Sequence, residues 1–524
     1  MSKLFTGTVI LIAANAISKI LGAVFKIPLT YLLHEEGMAI MNTALSVYTM
    51  LLSLVISGFP LAISTLTAKH YALKNYSYVK KISYISMLLL GIIGLFVSLI
   101  LFFGSEFFAY AMKDPKATEA IRVISPSVFI VAIGTVCKGY FQGSVNMLPT
   151  GISQVTESLV RLVAGYGLAY FLIAYGIHYA ASGAVLGITI GEIVATLILL
   201  LMFLYSVRKI PSGGIKPEGR QAARDIFSIA VPMFLCSGFI NALHMVDTAV
   251  IRNCLLRISF TPDTAADFLN YYSRFTDCFS NLPKTLKTDI SGARWLYGAY
   301  SGYALTIFNL PTGIIASLGV SILPIITGNL ASGNIKSVKK TSSLALKATT
   351  AIAFPFAFGM AFFSNEVLTL LFKNTASAPL LMLLSPCLIF VSITNLFISI
   401  LHSAGYIKEP SLFTALGILL KIALNFMLIP LPQINICGAP ISSAVAYLVV
   451  MCFCAVFIKK RLDIRFYIKE SVIMPFLISG LMILFMKLTI APLENLFGET
   501  IGFLSCMGAG ALFYMLITIL LFKK

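Results

Sequence analysis

Long apolar blocks alternate with short polar links from one end of the chain to the other, recurring about every 25–40 residues. Their centres fall near Ile20, Leu54, Gly94, Ala132, Gly165, Ala195 and Ile240, then near Ile314, Ile352, Phe390, Ile422, Val449, Ser479 and Ala511. A helix needs about 20 apolar residues to cross the hydrocarbon core, so the pattern predicts about fourteen transmembrane helices. Pro60, Pro126, Pro232, Pro311, Pro324, Pro355 and Pro386 fall inside or at the edges of these blocks. Each removes a helical hydrogen bond, which predicts bent helices whose freed carbonyls are met by neighbouring helices or water.

The first block, 8–33, carries Lys19 and Lys26. Two helical turns, about 10.5 Å, separate them and return them to nearly the same face. An ammonium near the bilayer centre costs about 2.5–3.5 kcal/mol on insertion scales. That face is therefore expected to look into protein or water rather than lipid.

Composition agrees with a membrane domain: 58% of residues are hydrophobic and 11% charged, where soluble chains carry about 25% charge. The net charge of +18 is not gathered into one stripe, which argues against a nucleic-acid partner. The basic residues lie in short links instead. Lys69, Lys74, Lys80 and Lys81 follow the second block, and Arg208, Lys209, Lys216, Arg220 and Arg224 follow the sixth. Lys336, Lys339 and Lys340 follow the eighth, and Lys459, Lys460, Arg461, Arg465 and Lys469 the twelfth. With fourteen spans these links share one side with both chain ends, which the positive-inside rule makes cytoplasmic. The link at about 252–294 is long and expected outside, as a partly structured cap. The nine cysteines form no CxxC pair and read as small packing residues. Lys19 and Lys26 interrupt what would be the core of a cleavable signal.

The chain also repeats. Asn75, Val79, Lys80 and Lys81 recur as Asn334, Val338, Lys339 and Lys340, Pro149 as Pro410, and Gly183-Ala184 as Gly438-Ala439, at offsets of about 255–261 residues. An even number of spans per repeat gives two lobes of the same orientation. The expected fold is thus an all-α polytopic membrane protein, with two six-helix lobes as a parallel tandem repeat around a central cavity. The lobes cover 1–210 and 211–465, with two further helices in 466–524.

An ionisable residue inside a span is a functional candidate by default. Lys26 and Lys19 have no acid in their own span and are expected to face a ligand; Lys347 and Lys421 would join them from the other lobe, with Arg161 assisting. Glu157 and Arg161 stand four apart and are expected to pair. Glu192 and Asp247 would either pair with cavity cations or take a coupling ion. Cations outnumber acids in this set, and a cavity of that charge suits a diphosphate, held by charge-assisted hydrogen bonds. No phosphate-binding GxxxxGK[ST] loop, HExxH or other metal cluster is present, so neither ATP-driven transport nor a resident cofactor is expected.

Several ordered motifs carry a family likeness. Gly58-Phe-Pro-Leu-Ala-Ile-Ser64 is followed by Lys138-Gly-Tyr-Phe-Gln-Gly143, Met147-Leu-Pro-Thr150 and Ser153-Gln-Val-Thr-Glu157. Asn309-Leu-Pro311, Ser321-Ile-Leu-Pro324, Leu424-Asn-Phe-Met-Leu-Ile-Pro430 and Gly438-Ala439 complete the set. Together they resemble the stage V sporulation protein B branch of the polysaccharide biosynthesis (oligosaccharide flippase) family. That branch belongs to the MATE-like MOP superfamily and is related to the MurJ-type lipid II flippases. The likeness implies a flippase, not an enzyme, acting in the bacterial cell membrane. It would move an undecaprenyl-diphosphate-linked saccharide, a lipid II-like peptidoglycan or polysaccharide precursor, from the cytoplasmic to the outer leaflet by alternating access. It further implies that the first span enters the cavity, where Phe25-Lys26-Ile27-Pro28 matches the aromatic-basic-Ile-Pro pattern of the branch. The adjacent Arg-Asp pair and second-span Arg of the MurJ type are not found here.

Expected partners are the lipid-linked saccharide and membrane lipids, with the chain acting as a monomer and driven by membrane potential, Na+ or H+. Two rival readings remain. A MATE-like drug/cation antiporter would need an acid-lined cavity. A membrane glycan polymerase or transferase would need external carboxylates, for which Asp263, Asp267, Asp277 and Asp289 are the candidates.

Overall fold

The protein is described from a computed structural model, which covers residues 2–56, 58–144, 146–209, 219–257, 289–331, 334–373, 375, 377–406, 408–431, 433–464, 466 and 469–522. Most of the expected outer cap, with Asp263, Asp267 and Asp277, lies outside the described residues, as do Lys216, Arg465, Lys523 and Lys524. Among the described residues there are helices and turns but no strand.

Helix α1 runs Ser2–Ile56, 55 residues, which would be about 80 Å if straight and too long for one crossing. It is broken at His34, whose φ of 50° and ψ of −166° lie outside the helical region. The side-chain contacts show that the chain reverses there. Helix α5 (Thr118–Gly143) is linked by a few residues to α6 (Leu148–Leu172), and the two run in opposite senses. Before His34, Ser18 donates to the Gln154 carbonyl (3.1 Å) and Phe25 packs on Gly165, so this arm follows α6. After it, Thr43 approaches Asp114, just ahead of α5, and Thr67 packs on Gly143 at the end of α5. This arm continues as α2 (Phe59–Ala72), entered through Gly58 at φ 82° and Pro60 at the first turn. A left-handed glycine followed by proline is a natural helix restart.

Helices α3 (Tyr76–Phe103), α4 (Ser105–Ala111), α7 (Ile177–Lys209) and α8 (Gly219–Leu256) follow in the first half. The second half holds α9 (Asp289–Gly298), α10 (Leu305–Ala331), α11 (Ile335–Phe362), α12 (Ser364–Phe372) and α13 (Ala378–Ser403). It closes with α14 (Lys408–Leu428), α15 (Gly438–Leu462), α16 (Met474–Phe497) and α17 (Glu499–Phe522). Eleven helical stretches among the described residues are long and apolar enough to cross a membrane. The first of them, Ala13–Ser53, contains the His34 break, and α8 and α10 stand where the apolar pattern predicts the seventh and eighth spans.

The internal repeat has a physical basis in helix capping. Asn75 caps α3 by accepting from the Tyr78 amide (3.3 Å), and Asn334 caps α11 by accepting from the Ser337 amide (3.1 Å). Their backbones nearly coincide, at φ −87°, ψ 70° and φ −84°, ψ 73°. Each satisfies one of the orphan donors at a helix start, and Val79 and Val338 are buried one turn later.

The chain packs as two compact units, Met1–Asn253 and Cys254–Lys524. Hydropathy places α8 at the head of the second lobe, yet all but its last three residues pack with the first unit. Ala222, Ile226 and Ala230 join that unit's core, the Tyr78 hydroxyl donates to Asp225, and Arg252 donates to Asp114 (2.9 Å). The last two helices pack on the second unit, where Ile478, Met482 and Phe503 share a core with Phe363.

Candidate functional site

The site begins with a row of small residues. Gly183, Gly187 and Gly191 recur every four residues along α7, and α6 presses against them. A Cβ added to Gly187 would fall 2.1 Å from the Gly165 Cα, and one added to Gly191 would fall 2.9 Å from the Glu157 carbonyl oxygen. Small residues at this spacing let two membrane helices approach backbone to backbone. Glu192, next to the last of these glycines, is thereby set against Glu157 and Arg161.

Arg161 forms the expected i,i+4 ion pair with Glu157 and also reaches Glu192 at 3.9 Å. All three are half-buried, and the two carboxyl groups lie within electrostatic reach of each other. Two further groups, which sequence reasoning did not single out, lie within electrostatic reach. Lys138 on α5 acts on Glu192, and the buried Tyr48 on the second arm of α1 faces Glu192, Arg161 and Glu157. Lys26, half-buried on the first arm, lies within reach of the Arg161 guanidinium. It makes no ion pair with any described residue. Five helical segments thus converge on one cluster of three cations and two carboxyl groups.

The first arm is held in place by polar contacts and shape. The Gln154 amide donates to Asn15 (2.7 Å), Ser18 donates to the Gln154 carbonyl, and the Phe25 ring lies on Gly165. Phe25 is itself almost fully buried, which fixes the rotation of the helix and with it the direction of Lys26. Two buried polar atoms of the cluster find no hydrogen-bond partner among the described residues: the Tyr48 hydroxyl and Arg161 Nε. Buried donors without partners are costly.

The other expected residues are distributed as follows. Lys19 is exposed. Asp247 is buried on α8, while Glu157 and Glu192 meet at Arg161. Lys347 and Lys421 belong to the second unit, where Lys347 pairs with Glu470 and the half-buried Lys421 lies near the Cys387 thiol. Nothing in the sequence pointed to Glu470, since the partners are 123 positions apart. Sequence reasoning also missed a buried polar knot at the start of α5. There Arg252 donates to Asp114 and Thr43 and reaches the Lys113 carbonyl (3.3 Å). Among the described residues, no three His, Cys, Asp or Glu side chains assemble as a metal site.

Such a bundle, with apolar crossing helices, buried charge and a matching asparagine cap in each half, defines a multi-pass membrane protein. The chain belongs to the polysaccharide biosynthesis protein family, whose model matches residues 4–330; the lipid II flippase MurJ model matches residues 296–507. It is 26% identical over 469 residues to stage V sporulation protein B of Bacillus subtilis (strain 168), covering 88% of this chain and 85% of that one. It is 22% identical over 505 residues to the lipid II flippase MurJ of the same organism, covering 90% and 86%. Among solved structures, lipid II flippase MurJ in an inward closed conformation superposes with a TM-score of 0.66 at 16% identity, covering 98% of both chains. An inward-facing multidrug resistance MATE family transporter of the MOP superfamily also reaches 0.66, at 11% identity, over 87% of this chain and 98% of that one. These likenesses show that the chain shares the fold of both proteins.

Proposed function

We propose that the protein is a flippase for a polyprenyl-diphosphate-linked saccharide, a lipid II-like peptidoglycan or polysaccharide precursor. It carries the polar head from the cytoplasmic to the outer leaflet by alternating access, with both chain termini in the cytoplasm. The observation that carries the reading is the position of Lys26. It is a half-buried ammonium held beside the Arg161 guanidinium with no carboxylate pairing it among the described residues. Two like charges kept together in low-dielectric surroundings repel strongly, and a diphosphate entering between them removes that repulsion. Lysine holds phosphate as a flexible point charge rather than a fixed fork, which favours release on the far side. Arg161 Nε and the Tyr48 hydroxyl supply further donors. Lys19, Lys347 and Lys421 guide the head electrostatically. Glu157, Glu192 and Asp247 balance the cations or take the coupling ion, with membrane potential, Na+ or H+ as the driving force.

The experiment is rescue of a flippase-depleted cell, read as the amount of lipid-linked precursor exposed on the outer surface. Lys26→Ala should insert normally and fail to rescue, whereas Lys26→Arg should retain activity. Full rescue by Lys26→Ala removes the residue from the mechanism. The rival antiporter reading draws on the MATE likeness of the fold and on the carboxyl pair. It predicts efflux of cationic drugs, which Glu192→Gln would abolish, with no change in exposed precursor.

A further inference from the structure

The second unit contains a cavity of about 870 Å³, walled by α11, α13, α15 and the start of α16. Its lining residues pair off by depth. Leu346 and Phe354 on α11, Ile389 and Phe397 on α13, and Met451 and Lys459 on α15 each stand eight residues apart, about 12 Å along a helix axis. At one end Phe397 stacks on Phe466, with ring centroids 5.1 Å apart, beside Leu346 and Lys459. At the other, the edge of Phe354 meets Phe476 at 6.1 Å. The cavity is therefore an apolar slot whose lining holds one charged side chain, Lys459, at one end. Its depth is close to the roughly 15 Å of hydrocarbon in a single leaflet.

The mouth is basic and its acids are already occupied. Lys459 is exposed, followed by Lys460 and Arg461, and makes no ion pair with any described residue. The two nearby carboxylates are bound by α11, Asp463 to Lys339 at 2.7 Å and Glu470 to Lys347. These pairs join Asp463 and Glu470 to α11, and neither carboxylate pairs with Lys459.

We infer that this slot is a binding site for one acyl chain of an acidic phospholipid, whose phosphate is held by Lys459. The apolar walls match the chain, the depth matches one leaflet, and the charge at the mouth matches the headgroup. The lipid sits in the leaflet that faces the basic links and acts as a resident ligand of the second unit, distinct from the cargo.

Native mass spectrometry of the full chain, delipidated and then offered phosphatidylglycerol or phosphatidylcholine of the same chain length, tests this. One phosphatidylglycerol should be retained, with a preference of about five-fold over phosphatidylcholine, the weight of one lysine at a membrane surface. Lys459→Gln should bring the two lipids near parity, and Ala455→Trp, which fills the slot, should weaken retention of both by about ten-fold or more. Thermal unfolding checks that both variants fold. If the tryptophan variant does not fold, the decision passes to the wild-type chain, where Cys452 lines the slot and is exposed. Phosphatidylglycerol should slow its alkylation several-fold, read by peptide mapping. Equal retention of both lipids by the wild type, unchanged retention in a folded Ala455→Trp, or no protection of Cys452 overturns the inference. Displacement of the phospholipid by equimolar undecaprenyl phosphate also overturns it, by giving the slot to the cargo's tail.

Discussion

Gly187 meets Gly165 so closely that a Cβ on the former would lie 2.1 Å from the Cα of the latter. This contact sets the distance between α6 and α7, and one turn further along it sets the distance between Arg161 and Glu192. Gly187→Leu should therefore force the helices apart, with a loss of about 1–3 kcal/mol or more from overpacking. Thermal unfolding in detergent should show a clear drop in midpoint. Gly167, whose added Cβ meets nothing within 4 Å, is the control: Gly167→Ala should leave the midpoint unchanged or raised.

Tyr48→Phe separates structure from ligand binding at the cluster. Its hydroxyl is buried without a hydrogen-bond partner among the described residues, so removing it should cost no stability. If it donates to the transported head, flipping should fall by about five-fold, the worth of roughly one kcal/mol of hydrogen bonding. A variant as active as the wild type would leave the hydroxyl outside the site.

Asp114 and Arg252 form a buried pair, and burial raises the cost of breaking it. Asp114→Ala strands the guanidinium and should lower stability by about 3–5 kcal/mol, whereas Asp114→Leu combined with Arg252→Met should recover most of that loss. Unfolding midpoints of Asp114→Leu, Arg252→Met and the double variant decide it. An additive double variant would show that the pair does not couple α8 to the start of α5.

Lys347 should matter less than Lys26. Its partner Glu470 is half-exposed, and pairs of that kind contribute up to about 1 kcal/mol. Lys347→Ala should shift the unfolding midpoint little and leave most of the surface-exposed precursor, measured beside Lys26→Ala in the same depleted cells. Equal loss in both variants would give Lys347 as large a part in transport as Lys26.

Hydropathy made the helices legible, because backbone amides in lipid must be satisfied within the segment, and only a helix or a closed barrel does this. The short-range features were legible for a related reason. Asn75 and Asn334 lie three residues before the amides they cap, and Glu157 lies one turn before Arg161. Such pairs are written into the spacing.

Which faces meet is another matter. In apolar surroundings burying leucine against leucine or against lipid differs little, so the apolar pattern does not choose partners. The choice falls to close glycine contacts and buried polar pairs between residues far apart in the chain. Gly187 on Gly165 brings Glu192 to Arg161, Asp225 and Arg252 bind α8 to the first unit instead of the second, and Glu470 claims Lys347. From its order of residues alone, the protein was determined to be a two-fold repeated helical membrane bundle with surplus positive charge. Only tertiary packing decided that Lys26 would stand within reach of Arg161 with no carboxylate pairing it among the described residues, because that depends on how Phe25 seats against Gly165.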